Sequence, residues 1–197
     1  EIRGSTRLRG LVAGMFEAQS ADNVLISHGT IGANHMVYQT LVGTGDHVVA
    51  VTPTYQQHTA IPRSLGAEVA EVALSETLNW LPDWDEVAAA VTPATKVIAL
   101  TNPNNPTGAL IGREGLERVA DIARSVDAWV LCDEVYRGTE QGEPVPSIVD
   151  VYDKGISTGS TSKAFSLAGL RLGWIVGPQG LLDDCEVHRD YTTISVG

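Results

Sequence analysis

The sequence predicts an α/β fold, a mostly parallel sheet with helices on both faces. Two observations carry this. Short runs such as His47-Val48-Val49-Ala50-Val51 and Lys96-Val97-Ile98-Ala99-Leu100 are β-branched or apolar after their first residue, as strands buried on both faces are. Stretches of helical character lie between such runs, so successive strands are joined by crossovers.

The elements follow in order. Residues 5–20 read as a helix with Ser5 available as its N-cap. Val24-Leu25-Ile26-Ser27 is a short strand that ends at His28-Gly29-Thr30, and a helix follows over 31–42. Gly43-Thr44-Gly45-Asp46 is a turn cluster before the strand at 47–51. A short helix over 55–65 stops at Gly66, which suits the left-handed position after a helix. Residues 68–74 alternate as a strand, 83–91 are helical, and 96–100 form a buried strand. The helix at 112–126 places Leu116, Val119, Ile122, Ala123 and Val126 on one apolar face. Strands follow at 128–132, 155–159 and 172–176, and a last helix spans 178–188.

Composition narrows the function classes. Hydrophobic residues make up 43% of the 197, enough for a core. The formal net charge of −11 argues against nucleic acid or an anionic membrane as a partner. Cys132 and Cys185 are too few for a disulfide framework or a cysteine-based zinc site. His28, His35, His47, His58 and His188 lack metal-ligand spacing and read as mostly surface or turn residues. No apolar run is long enough to span a membrane and no signal peptide is visible, so a soluble, cytoplasmic setting is expected.

In a parallel sheet, ligands sit beyond the C-terminal strand ends. Gly29, Thr30, Tyr55, Asn105, Asp133 and Tyr136 all fall there. Gly29-Thr30-Ile31 joins a strand to a helix N-terminus, where free amides and the helix dipole suit a phosphate; an ordinary turn is the plainer reading of that string alone. Tyr55 can stack on a flat ring or sit half-buried in the core. Thr101-Asn102-Pro103-Asn104-Asn105-Pro106-Thr107-Gly108 is a stiff, amide-rich loop that points a side chain, and Asn105 before Pro106 is expected to be extended. Asp133 ends an apolar strand, where a carboxylate needs a partner; it could meet a pyridinium N–H or cap the next turn.

Ser160-Thr161-Ser162-Lys163 adds a primary amine among hydroxyls, with Arg171 close behind. Hydroxyls and an arginine suit a phosphate, and the amine suits a carbonyl, so the segment can hold a phosphorylated aldehyde such as pyridoxal 5′-phosphate (PLP) as a Schiff base. Gly155-Ile156-Ser157-Thr158-Gly159 matches the nucleophile-elbow string, but it lies within a strand and not at a strand-to-helix turn, so a hydrolase is a poor reading.

Asn102-Pro103-Asn104-Asn105-Pro106-Thr107-Gly108, Asp133-Glu134-Val135-Tyr136, and Ser160-Thr161-Ser162-Lys163 with Gly169-Leu170-Arg171-Leu172-Gly173 together resemble the class I/II aminotransferases, which are fold-type I PLP enzymes. The resemblance implies that Lys163 carries the cofactor and moves the substrate Cα proton. It implies that Asp133 pairs with the pyridine nitrogen, that Tyr136 and Asn105 bond the ring's phenolic oxygen, and that Tyr55 stacks on the ring. Thr30, Ser160, Ser162, Arg171 and the amides near Gly29 and Ile31 would hold the phosphate. It further implies amino acid and 2-keto acid substrates and a homodimer. Residues 1–197 would be the PLP-binding large domain, without the family's N-terminal segment and C-terminal small domain. Neither Arg137 nor Arg189 stands where the family's carboxylate-gripping arginine would be. A lyase, cyclase or decarboxylase on the same cofactor, or a non-catalytic PLP-binding module, shares the same cofactor motifs.

Overall fold

The computed structural model describes residues 2–196. Its sheet has seven strands in the order β1-β7-β6-β5-β4-β2-β3. They are β1 (Val24–His28), β2 (His47–Thr52), β3 (Glu68–Ala73), β4 (Thr95–Thr101), β5 (Trp129–Asp133), β6 (Gly155–Ser160) and β7 (Leu172–Val176). The helices are α1 (Thr6–Ala13), α2 (Gly29–Leu41), α3 (Gln57–Ser64), α4 (Trp84–Ala90), α5 (Arg113–Ser125) and α6 (Gln179–Asp190). The pairs among β2, β3, β4, β5 and β6 are parallel, and β7 runs antiparallel to both of its neighbours, β6 and β1.

Both faces of the sheet are covered, as the continuous apolar strands require. Val49, Ile98 and Val130 point into one core with Leu116, Val119 and Ala123 of α5. Val48, Val97 and Leu131, one residue along each strand, point into the other core with Val37 and Tyr38 of α2 and Leu182 of α6. This strand-by-strand alternation is the period of two that a strand imposes, and each fully buried Val or Leu contributes about 1.5–3 kcal/mol. A third cluster packs Val12 and Phe16 against Ile26, Trp174 and Val176 at the β1–β7 edge.

Two expectations are corrected. The first helix ends at Ala13 and not near residue 20, because Gly14 caps it and the chain turns so that Phe16 packs inward. Ser5 does cap its start, accepting from the Leu8 amide at 3.3 Å. The helix expected over 55–65 begins at Gln57, which leaves Tyr55 on the strand-end turn. Three of the five histidines, His28, His35 and His188, are not buried, as expected for most of them, while His47 is buried against Thr95 and His58 is fully buried. The Gly155–Ser160 string is a buried strand, and a Cβ on Gly159 would lie 2.6 Å from the Trp174 indole nitrogen, so its glycine serves packing.

Close packing also fixes where α2 begins. Gly29 has φ +65°, and a Cβ on Gly173 of β7 would lie 2.6 Å from the Gly29 Cα. Only glycine fits at Gly173, and the first turn of α2 is thereby pressed against the β6–β7 end of the sheet.

Candidate active site

The C-terminal ends of β2, β4, β5 and β6 surround a cavity of about 320 Å³. Thr30, Ile31, Tyr55, Asn105, Asp133, Tyr136, Ser160, Ser162, Lys163 and Arg171 all line it. Among the residues expected from sequence, only Gly29 is not a lining residue; the Arg171 guanidinium lies 3.0 Å from where a Gly29 Cβ would be. Gln57, Thr101, Val135 and Ala168 complete the wall and were not expected.

Lys163 is exposed and lies in the connection between β6 and β7, its Nζ 5.8 Å from the Tyr136 ring centroid. That connection is tied at its base: Thr161 N donates to Leu172 O at 3.0 Å, and Leu167 N donates to Thr161 O at 2.9 Å. Arg171 adopts a left-handed backbone (φ +52°), and its Nη1 donates to Ala168 O at 2.9 Å, leaving the rest of the fork on the cavity side. On the opposite wall, Asn102 stiffens the Asn-Pro loop by donating to Ile111 O (3.1 Å) and accepting from Ile111 N (2.8 Å). Asn104 donates to Thr107 Oγ1 at 2.9 Å, which leaves Asn105 as the asparagine of that loop on the cavity.

Asp133 is 4% exposed, so its carboxylate must be satisfied from within. Val135 N donates to Oδ1 (3.1 Å) and Asn34 Nδ2 donates to Oδ2 (2.8 Å). Asp133 therefore does cap its own turn, and it also faces the cavity. Behind it, Tyr38 and His58 form a buried pair, with the Tyr38 hydroxyl 3.0 Å from His58 Nδ1. Burial, and to a lesser degree the Asp133 charge, raises the Tyr38 hydroxyl well above the ordinary phenol range, so it stays protonated and can donate. The other ring nitrogen, Nε2, faces Asp133 Oδ2 at 3.7 Å, too far for a hydrogen bond.

The next residue along, Glu134, is also buried. It accepts from Ser147 Oγ (2.7 Å) and Ile148 N (3.2 Å), and Arg137 lies 3.6 Å away. Burial outweighs these partners and holds its carboxyl above the ordinary range. Arg137 is committed to this pair and to Val145 O, and Arg189 is buried against Ile26 O and Ile2 O, so neither guanidinium serves the cavity.

The phosphate expectation can be tested on one atom. Thr30 Oγ1 is buried on the cavity wall without a hydrogen-bond partner. An orphaned hydroxyl is rare in a folded protein. This one sits at the N-terminus of the thirteen-residue α2, whose first turn holds no acidic residue, and it shares the cavity with Ser160, Ser162 and Arg171. Those residues fit a phosphate, and Lys163 and Asp133 on the same cavity fit an aldehyde and a ring N–H.

A mostly parallel sheet with a lysine, an aspartate and side chains suited to a phosphate at its strand ends is the large-domain architecture of the fold-type I PLP-dependent class. Residues 1–192 match the family described as aminotransferase class I and II, and the chain belongs to that family. It is 33% identical to an arginine–pyruvate transaminase of Pseudomonas aeruginosa, over 94% of this chain and 49% of that protein. It is 30% identical to a capreomycidine synthase of Streptomyces vinaceus, over 98% of this chain and 50% of that protein. Among solved structures, a PLP-dependent aminotransferase from Streptococcus suis superposes with a TM-score of 0.95 at 42% identity, over 100% of this chain and 52% of that one. The chain spans about half the length of the curated relatives it matches.

Proposed function

We propose that this chain is the PLP-binding large domain of an aminotransferase that exchanges an amino group between an amino acid and a 2-keto acid. The observation that carries this reading is the single cavity onto which Lys163, Asp133, Tyr136, Asn105 and the unpaired Thr30 hydroxyl converge.

Lys163 Nζ would bind the cofactor carbonyl, and Asp133 would accept from the ring N–H. Tyr136 and Asn105 would donate to the ring oxygen, and Tyr55 would lie against the ring face. Thr30, Ser160, Ser162, Arg171 and the amides of residues 29–31 would hold the phosphate. Bound there, PLP supplies an electron sink for the charge left when a Cα proton departs. The chain's own work is then positional and acid–base. Lys163 Nζ takes the Cα proton from the amino donor and returns it. Asp133, screened from water, favours a protonated ring nitrogen beside it. The donor leaves as a keto acid before the acceptor keto acid enters, in a ping-pong order. The similarity to a protein named as a synthase keeps a second reaction on the same cofactor as the alternative.

A second copy of the chain is the partner that the surface supports. Ile31, Tyr55, Phe165, Leu167 and Leu170, all exposed apolar side chains, lie on or next to the wall of the cavity in sequence. The cytoplasm suits its two buried free cysteines, and no helix among the described residues is long and apolar enough to cross a membrane.

Absorbance tests the reading. Wild type with PLP should show a visible band that shifts on adding an amino acid, and Lys163→Ala should lose it. A wild type that stays colourless with PLP overturns the cofactor assignment. Keto-acid-dependent turnover, set against release of ammonia or carbon dioxide, separates transamination from the alternative.

A further inference from the structure

Asp133 is held in place by an amide whose orientation is fixed at every hydrogen-bonding atom. A carboxylate only accepts, so the group of Asn34 that faces Asp133 Oδ2 at 2.8 Å must be its nitrogen. The second Nδ2 proton points to Gln57 Oε1 at 3.3 Å. Gln57 cannot be turned over either, because its Nε2 donates to the Ile31 carbonyl at 3.0 Å. On the far side, Asn34 Oδ1 accepts from Thr158 Oγ1 at 2.7 Å. Asn34 is 0% exposed and Thr158 is 0% exposed, so water does not compete for these bonds.

The chain of bonds runs from Ile31 at the phosphate end of the cavity, through Gln57 and Asn34, to Asp133, with Thr158 of β6 as the backstop. The Val135 amide and the Asn34 amide hold one carboxylate oxygen each, which fixes the carboxylate plane. Among the described residues no other hydrogen bond reaches this carboxylate, and His58 Nε2 lies 3.7 Å away.

We propose that Asn34, locked by Thr158, is a positioning residue that aims the Asp133 carboxylate at the cofactor's ring nitrogen. This rests on the PLP reading above. Thr158 supplies the only donor to Asn34 Oδ1 among the described contacts, so removing that hydroxyl leaves a buried amide oxygen unpaired. Asn34 then shifts or tilts to relieve the unpaired oxygen, its hold on Oδ2 loosens, and the Asp133 carboxylate loses its aim.

The test compares the affinity of the intact protein for PLP with its affinity for the analogue carrying CH in place of the ring nitrogen. Wild type should prefer PLP. Thr158→Val should lower that preference about tenfold, the scale of one charge-assisted hydrogen bond, and Thr158→Ser should restore it. If Thr158→Val does not fold, Asn34→Ser removes the amide itself and is read by the same ratio. Equal losses for both ligands, or an unchanged ratio in the folded variant, overturn the proposal and leave PLP binding intact. A wild type that takes up PLP not at all overturns the cofactor reading and this inference with it.

Discussion

Gly173 on β7 and Gly29 at the start of α2 are packed so closely that no side chain fits between them: a Cβ on Gly173 would lie 2.6 Å from both the Gly29 Cα and its carbonyl oxygen. The first turn of α2, with Thr30, is thus seated by β7 and not by its own helix propensity. Gly173→Ala should push that turn outward. Overpacking of this kind costs about 1–3 kcal/mol, to be seen in urea unfolding, and PLP affinity should fall with it. Gly169→Ala, which meets nothing within 4 Å, is the control and should change neither.

The Tyr38–His58 pair behind Asp133 gives a second prediction. Tyr38→Phe removes the hydrogen-bond partner of His58 Nδ1 and leaves a fully buried imidazole nitrogen unpaired. The expected loss is about 1–3 kcal/mol in chemical denaturation. The hydroxyl no longer biases the ring, so imidazole nitrogen NMR shifts should differ between the variant and wild type.

Glu134 predicts a pH dependence with a definite sign. Burial raises its folded pKa above the ordinary value of 4.5, so the native state binds this proton more tightly than the unfolded chain does. The group's contribution to stability is complete below the ordinary value and is lost as pH rises through the raised one. Glu134→Gln mimics the protonated form. Its stability relative to wild type should therefore increase between pH 4 and 8, measured as urea midpoints across the range.

Arg189 predicts where the chain frays. Its guanidinium, 1% exposed, donates to Ile26 O at 2.8 Å and Ile2 O at 2.6 Å and so pins the first residues to β1. Arg3 reinforces this with Asp183 and Glu186 on α6. Arg189→Ala should cost about 1–3 kcal/mol through the carbonyls left unpaired. Limited proteolysis near residues 2–4 should become faster.

The sequence made the ends of the strands legible because they carry unusual residues. A lysine among hydroxyls, a carboxylate ending an apolar strand and a proline-locked asparagine loop each break the pattern around them, and the cavity gathers all three. Asn34, Tyr38, Gln57, His58 and Thr158 broke no visible pattern. Asn34 and Tyr38 lie one helical turn apart on α2 among Ala33, Met36 and Val37, and polar residues there read as solvent-facing until the helix is seen against the sheet. Burial, which no pattern in the sequence discloses at these positions, is what marks Asn34 and Thr158 in the structure. The antiparallel β7 was legible in principle: the stretch after Ser160 holds only a 3-10 turn before Leu172, too little for the helical crossover that a parallel neighbour needs.

That reversed strand has a consequence for how the site comes together. Because β7 returns alongside β6, Lys163 and Arg171 belong to one local hairpin, closed by contacts of short sequence separation. Asp133 and Asn34 are 99 positions apart, and Thr158 and Asn34 are 124 apart. Loop closure makes the first set inexpensive to form and the second available only when most of the sheet exists. A partly folded chain can therefore display the reactive amine without the carboxylate and threonine opposite it. Ligand that engages both halves is in effect a sensor of complete folding, and it stabilises only that state.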